Sequence, residues 1–93
     1  MHVALLQVRL HLPGLNSLKE KRSIVKSILE RARSRYSVAA AETDDQDVHR
    51  SATLGFAAVS GSESHAREVM LKILDGIRTH PVARLVDHEL ESY

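Results

Sequence analysis

The sequence predicts a single α+β domain with the element order βαββαβ. Ninety-three residues can fill one hydrophobic core, whereas two cores would each lack apolar surface. Two segments place apolar residues at the 3.6-residue spacing of an amphipathic helix, and strand-like segments flank both of them. Hydrophobic residues make up 43% of the chain and aromatic residues 3%. The predicted core is therefore aliphatic.

The chain opens with a predicted strand followed by a predicted helix. Apolar residues occupy every second position from Ala4 to Leu12, which is typical of a strand with one buried face. Pro13-Gly14 ends this strand, and either Asn16 or Ser17 can cap the next element by accepting a hydrogen bond from a free helix N–H. The helix is predicted from Leu18 to about Arg35. Its apolar stripe consists of Leu18, Val25, Ile28, Leu29, Ala32 and Tyr36.

A hairpin of two strands is predicted next. Residues 37–43 are small and compatible with a strand, and the context favours one there. Residues 44–47 read Asp-Asp-Gln-Asp, which is typical of a turn because Asp side chains accept hydrogen bonds from nearby backbone N–H groups. The return strand is predicted over residues 49–59. Its core-facing side chains are Leu54, Phe56 and Ala58.

The second helix and a last strand complete the chain. The Ser-Gly-Ser-Glu segment at residues 60–63 fits a capping box, with Ser60 as the N-cap and Glu63 at position N3. The apolar spacing then continues to Ile77, and Pro81 stops the helix.

The last strand is predicted over residues 85–91, with Val86, His88 and Leu90 facing inward and Leu85 facing outward. Two right-handed crossovers in one sheet give the ferredoxin-like βαββαβ sandwich. In that fold a four-stranded antiparallel sheet carries both helices on one face.

Several classes of site are not expected. Without cysteine the chain offers no thiolate nucleophile, and this composition fits a reducing cytoplasm. No stretch approaches the roughly 20 apolar residues that span a bilayer, so we expect no membrane partner. The six histidines form no i, i+4 pair, and Asp44, Asp45, Asp47 and His49 lack the spacing of a calcium loop. We therefore expect no catalytic constellation, no metal site and no cofactor.

Basic residues are concentrated in the first helix. Residues 1–36 hold eight Lys and Arg against two Glu, a balance of +6, whereas residues 37–93 hold five against ten acidic residues, a balance of −5. On a helical wheel four cations share one flank of the apolar face, and Lys21, Arg31 and Arg35 lie elsewhere. Such a row can follow a phosphate backbone, or it can be an ordinary solvated helix face. The four candidates for nucleic-acid binding are Lys19, Arg22, Lys26 and Arg33.

Two weaker candidates lie beside this helix. The loop that contains Gly14, Asn16 and Ser17 precedes the helix N-terminus, where free N–H groups can hold a phosphate or carboxylate. A plain turn and helix cap is the alternative for this loop. Glu42, at the end of the second strand, is predicted to form a hydrogen bond with a Lys or Arg of the first helix. A catalytic role for it is the less favoured alternative.

Three segments carry a resemblance to a known family: residues 10–14 (Leu-His-Leu-Pro-Gly), residues 17–22 (Ser-Leu-Lys-Glu-Lys-Arg) and residues 41–47 (Ala-Glu-Thr-Asp-Asp-Gln-Asp). With them the chain resembles the YlxP-like family of small bacterial proteins of unknown function, over essentially its whole length. Asp44, where glycine is expected, and His88, where an aromatic residue is commoner, depart from the pattern. The resemblance implies a ferredoxin-like fold, a bacterial cytoplasm and, from neighbouring translation genes, a link to RNA or ribosomes.

Two functions of different classes follow from these observations. The first is a non-catalytic module that binds structured RNA or a ribosomal particle through the basic helix. The second is a homodimeric scaffold or a small-ligand-binding regulatory domain that uses the open sheet face or the sheet edges. An enzyme ranks third. Salt dependence separates the first two, because phosphate contacts weaken steeply with ionic strength.

Overall fold

The computed structural model describes residues 1–93 and contains the six elements in the predicted order. The elements are β1 (His2–His11), α1 (Leu18–Tyr36), β2 (Ala39–Asp44), β3 (Ser51–Ser60), α2 (Glu63–Arg78) and β4 (Arg84–Ser92). None of the helices is long and apolar enough to cross a membrane.

The four strands form one antiparallel sheet in the order β2-β3-β1-β4. The central strands β1 and β3 pair along their whole length, from His2 opposite Ser60 to His11 opposite Ser51. Helix α1 packs against β2, and α2 packs against β1, β3 and β4. This arrangement is the ferredoxin-like α+β sandwich.

The core lies between the sheet and the two helices. It is a single cluster of 21 buried residues, and Phe56 is its only aromatic member. Leu6, Val8 and Leu54 of the sheet are at most 2% exposed, and so is Met70 of α2. Because both helices contribute to this one cluster, both cover the same face of the sheet, as predicted. The other face of the sheet carries no helix.

Both helices are capped by serine at their N-termini. Ser17 Oγ accepts a hydrogen bond from Glu20 N, so Ser17 rather than Asn16 is the cap of α1. The capping box predicted for α2 is wrong by two positions, because Ser62 Oγ accepts from His65 N and is the N-cap. Ser60 is still part of β3, opposite His2, and its hydroxyl accepts from Ser62 N.

The predicted orientation of β4 is also partly wrong. The register against β1 shifts between Arg9, which pairs with Asp87, and Leu10, which pairs with Leu85. The extra residue, Val86, is 57% exposed, while Leu85 packs against the core. A bulge of this kind places two strand residues opposite one and reverses the alternation beyond it. His88 is exposed on this edge strand, although Leu90 packs against the core as predicted.

Candidate functional site

Lys21 is the most deeply buried charged side chain, with no exposed surface. It extends from the second turn of α1 into the loop between β2 and β3. Its Nζ donates to the carbonyl oxygen of Val48 at 2.6 Å and to that of Asp45. A buried ammonium is costly unless its protons have partners. The hydrogen bonds to these carbonyl oxygens therefore attach α1 to the β2–β3 loop.

Glu42 is the counter-ion of Lys21. Its Oε2 lies 2.8 Å from Lys21 Nζ, and its side chain is 16% exposed. The same oxygen is buried and accepts no hydrogen bond of good angle, so the contact is chiefly an ion pair. Glu42 thus contacts a cation of the first helix, Lys21, but through an ion pair in place of the predicted hydrogen bond.

The contact between Lys21 and the β2–β3 loop, called the junction below, brings together two of the three segments that carry the family resemblance. Residues 17–22 supply the cap and the buried lysine of α1, while residues 41–47 supply the carboxylate and one carbonyl that receive it. Arg50 closes the same end of the molecule, because its Nε donates to Leu15 O at 3.1 Å. The two segments therefore form one structural unit.

The acidic turn is shaped by its own backbone contacts. Asp44 Oδ1 accepts from Asp45 N at 2.8 Å, and Asp45 adopts a left-handed conformation with φ of 61°. A register shift between Glu42 and Asp44 accompanies the turn. The left-handed residue thus follows Asp44, the position where glycine was expected. No three His, Asp or Glu side chains of the protein are grouped closely enough to hold a metal ion.

The four cations of the predicted nucleic-acid site have unequal surroundings. Lys19, Arg22 and Lys26 are exposed, and Lys26 has only a distant partner, Glu30, at 3.9 Å. Arg33 is also exposed, but its guanidinium donates to Ala40 O of the edge strand β2. The structure therefore keeps the first three on one exposed flank and attaches the fourth to the sheet.

Two residues of the loop before α1, Gly14 and Ser17, have structural roles in the turn and in the helix cap. Gly14 takes a φ of 79°, which favours glycine in this turn. Ser17 is occupied as the helix cap, whereas Asn16 is exposed. Anion binding at Gly14, Asn16 and Ser17 stays a prediction.

The open sheet face has a small, apolar floor and polar margins. A shallow groove of about 370 Å³ runs across it, lined in its apolar part chiefly by Leu5, Ala39, Ala41 and Ala57. Gly55 leaves room for a neighbouring side chain here, because a Cβ at this position would lie 3.0 Å from Thr43 Cγ2, so that Thr43 would have to shift. His11 carries an aromatic ring on this face at the end of β1, and its Nδ1 contacts Arg50 O at 3.1 Å.

An exposed ion pair joins β1 to β4 on this face. Arg9 Nη2 lies 2.6 Å from Asp87 Oδ2, and Arg9 Nε donates to Oδ1 at 3.0 Å. The hydrogen bond and charge of Arg9 lower the pKa of Asp87, and the same contact raises the pKa of Arg9. A second carboxylate, Glu91, accepts from the Tyr93 hydroxyl and raises the pKa of that tyrosine.

Sequence reasoning missed the role of Lys21. The available signal was its position four residues before Val25, which places both side chains on the same helix face. Burial of Lys21 was not expected, because a lysine on an apolar helix face usually buries only its methylene chain and keeps its ammonium group in water.

The comparisons with known proteins agree with the family resemblance and with the fold. Residues 3–90 match the family described as "Protein of unknown function (DUF503)". The chain is also 35% identical over 65 residues to the uncharacterized protein YlxP of Bacillus subtilis strain 168, an alignment that covers 70% of this chain and 71% of YlxP.

Solved structures at low identity share the fold alone. An amidase of the hydantoinase/carbamoylase family from Burkholderia phymatum superposes with a TM-score of 0.58 at 10% identity, over 99% of this chain and 28% of the amidase. The protein YJCS gives a TM-score of 0.52 at 8% identity, with 96% of each chain covered. SnoaB, a cofactor-independent oxygenase from Streptomyces nogalater, also gives 0.52, at 10% identity over 99% of this chain and 90% of SnoaB. The match over residues 3–90 and the identity to YlxP show that the chain belongs to the DUF503, or YlxP-like, family.

Proposed function

We propose that this protein is a non-catalytic binding module that contacts structured RNA or a ribosomal particle through Lys19, Arg22 and Lys26 of α1. One observation carries the proposal. Lys21 and Arg33 of α1 are bonded within the fold, whereas Lys19 and Arg22 have no ion pair and Lys26 has only the contact at 3.9 Å. These three cations are therefore available to an external anion.

The position of the three cations supports the same proposal. Lys19 and Arg22 lie in the first turns of α1, where a positive charge is mildly unfavourable because it meets the positive end of the helix dipole. Lys19 and Lys26 are about 10 Å apart along the helix axis at 1.5 Å per residue, a length over which a nucleic-acid backbone carries several phosphates. Each contact with a phosphate releases a counterion, which favours binding.

The expected mode of binding reads backbone and shape rather than base sequence. Sheet-face RNA readers stack bases on aromatic side chains. Of the three outward-facing residues of β1 toward its end, Gln7, Arg9 and His11, only the last has a ring, and Arg9 is paired with Asp87. We expect no tight, sequence-selective affinity for short single strands, and a bacterial cytoplasm is the setting that the resemblance implies for this activity.

The test is a charge reversal that leaves the fold's own cations in place. The triple variant Lys19→Glu, Arg22→Glu, Lys26→Glu should lose association with ribosomal particles or structured RNA, measured by sedimentation and by filter binding across a salt series. Neutralising Lys19 alone should flatten the log–log salt slope by about 0.7 to 0.9 if it contacts one phosphate. Arg33 is left unchanged because its loss would also disturb β2.

A matched control carries the same change in net charge on other surfaces. Arg67, Arg78 and Arg84 are exposed, and reversing all three should leave binding nearly intact. Equal binding by the triple variant and the wild type, or no binding by either, would show that the row is only a solvated face. Equal losses in both triple variants would indicate attraction by net charge without a defined site.

The open sheet face favours a second candidate, a homodimeric scaffold. Leu5 is 38% exposed there, and the small residues Ala39, Ala41 and Ala57 form a flat apolar floor that a second copy could cover. An apolar interface of this kind should persist at high salt, whereas RNA binding should not. Light scattering at low and high salt, with Ala41→Glu as the disrupting variant, distinguishes the two functions.

A further inference from the structure

A second group of cations surrounds a cleft between the two helices, on the opposite flank of α1 from Lys19, Arg22 and Lys26. The cleft has a volume of about 230 Å³. Its floor is apolar and includes Ile28 and Ala32 of α1 and Ile73 and Ile77 of α2. Its rim is basic and consists of Arg31 and Arg35 on one side and Lys72 on the other.

The two arginines at this rim are not neutralised within the fold. Arg31 and Arg35 are exposed and form no ion pair, and the only carboxylate paired at the rim is Glu68, 3.4 Å from Lys72. Arg31 and Arg35 are also spaced i, i+4, so they repel each other on one helix face, which destabilises a helix by a few tenths of a kcal/mol. An anion between them would relieve this repulsion.

Two further features make the cleft receptive. Gly76 of α2 lines it, and a Cβ at this position would meet no atom within 4 Å. The glycine is therefore not required by packing, and its missing side chain leaves the cleft open. His80 also lines the cleft, and its Nδ1 accepts from Val82 N and Ala83 N at 3.1 and 2.9 Å. The ring proton of neutral His80 is therefore on Nε2, which the fold does not use.

We propose that the cleft between α1 and α2 binds a small organic anion, with its apolar body against Ile28, Ile73 and Ile77 and its phosphate or carboxylate group between Arg31 and Arg35. The two guanidinium groups suit this role because each can donate two parallel hydrogen bonds to a carboxylate or phosphate. The cleft is smaller than the roughly 300–1,000 Å³ typical of pockets for drug-sized ligands, so the apolar body is about the size of one or two aromatic rings.

The experiment uses three probes, which are 1-naphthyl phosphate, 1-naphthol and inorganic phosphate. Together they distinguish the contribution of the apolar rings to binding from that of the anionic group. Each is titrated into the isotopically labelled full chain while backbone amide signals are followed by NMR. We expect saturable shifts with 1-naphthyl phosphate at Ser27, Arg31, Gly76 and Ile77, with a Kd of about 1 mM or tighter. The other two probes should bind at least roughly tenfold more weakly. Benzoate and naphthoate then compare carboxylate with phosphate.

Two variants test the assignment independently. The double variant Arg31→Glu, Arg35→Glu should bind 1-naphthyl phosphate at least roughly tenfold more weakly than the wild type. The double variant Lys19→Glu, Arg22→Glu carries an equal change in charge and should bind it as the wild type does. A Cβ at Gly76 meets no atom within 4 Å and Met suits a helix, so Gly76→Met should fold, extend its flexible side chain into the cleft and lose binding of the probe. Shifts confined to other surfaces, equal binding by inorganic phosphate, or full binding by Gly76→Met would each overturn the proposal.

Discussion

Two sets of cations on α1, Lys21 and the pair Arg31 and Arg35, lie in opposite surroundings. Near the N-terminus Lys21 is fully buried and is bonded to two carbonyl oxygens and one carboxylate. Near the C-terminus Arg31 and Arg35 border an open cleft without a carboxylate between them. Basic residues of one helix thus stabilise the fold where a neighbouring element supplies oxygen atoms, as for Lys21, and keep their charge available where none does, as for Arg31 and Arg35.

This difference shows what decides the role of a surface cation. A helical wheel gives the direction of each side chain, but the neighbouring element supplies or withholds the oxygen atoms. The loop between β2 and β3 presents two carbonyl oxygens and Glu42 to α1, whereas α2 presents Gly76 and Lys72. Only the tertiary structure separates the two cases.

The largest effect is expected when the buried ammonium group of Lys21 is removed. Lys21→Met should reduce the free energy of unfolding by about 3–5 kcal/mol, because it leaves Glu42 as a buried carboxylate without its partner. Urea unfolding followed by circular dichroism measures the change. Lys19→Met, two residues away and exposed, is the control and should change stability by no more than about 0.5 kcal/mol. Similar values for the two variants would contradict the structural role of Lys21.

A double-mutant cycle sharpens the same point by isolating the ion pair. Glu42→Gln should be destabilising in the wild-type background, but neutral or stabilising in Lys21→Met, where an unpaired carboxylate is replaced by an amide. We expect a coupling energy of about 0.5–3 kcal/mol between the two positions. Additive effects would mean that the carbonyl contacts of Lys21 stabilise the junction without help from Glu42.

The exposed pair between Arg9 and Asp87 should give the smallest effect. Its pKa shift has a definite sign: the pKa of Asp87 is lower in the folded than in the unfolded chain. The stabilisation is therefore present above the unfolded pKa and is lost as the pH falls through the folded pKa. In Arg9→Gln the Asp87 carboxyl, titrated by NMR, should return toward its ordinary pKa. An unchanged titration curve would show that the pair does not persist in solution.

Most of the fold could be predicted from apolar spacing, and the exceptions have local physical causes. Ser60 and Ser62 are both acceptable caps, and only the pairing of Ser60 with His2 decides between them. Leu85 and Val86 are adjacent apolar residues, so alternation alone cannot show which one faces inward at a bulge.

The candidate site was harder to predict than the fold. The exposure of Lys19, Arg22 and Lys26 could be predicted, because the helical wheel alone places these side chains on one flank of α1, outside its apolar stripe. The bond from Arg33 to Ala40 O and the burial of Lys21 depend on contacts with β2 and with the β2–β3 loop. The cleft beside Arg31 and Arg35 depends on how α2 lies against α1, which periodicity within one helix does not determine.

The burial of Lys21 also makes its amine a natural reporter of local opening. The chain has four lysines, Lys19, Lys21, Lys26 and Lys72, and Lys21 alone is without exposed surface. An amine-acylating reagent should modify the other three at rates typical of solvent-exposed lysine. Lys21 becomes reactive only when α1 separates from the β2–β3 loop, so its acylation, followed by mass spectrometry, measures the frequency of that separation in the native protein.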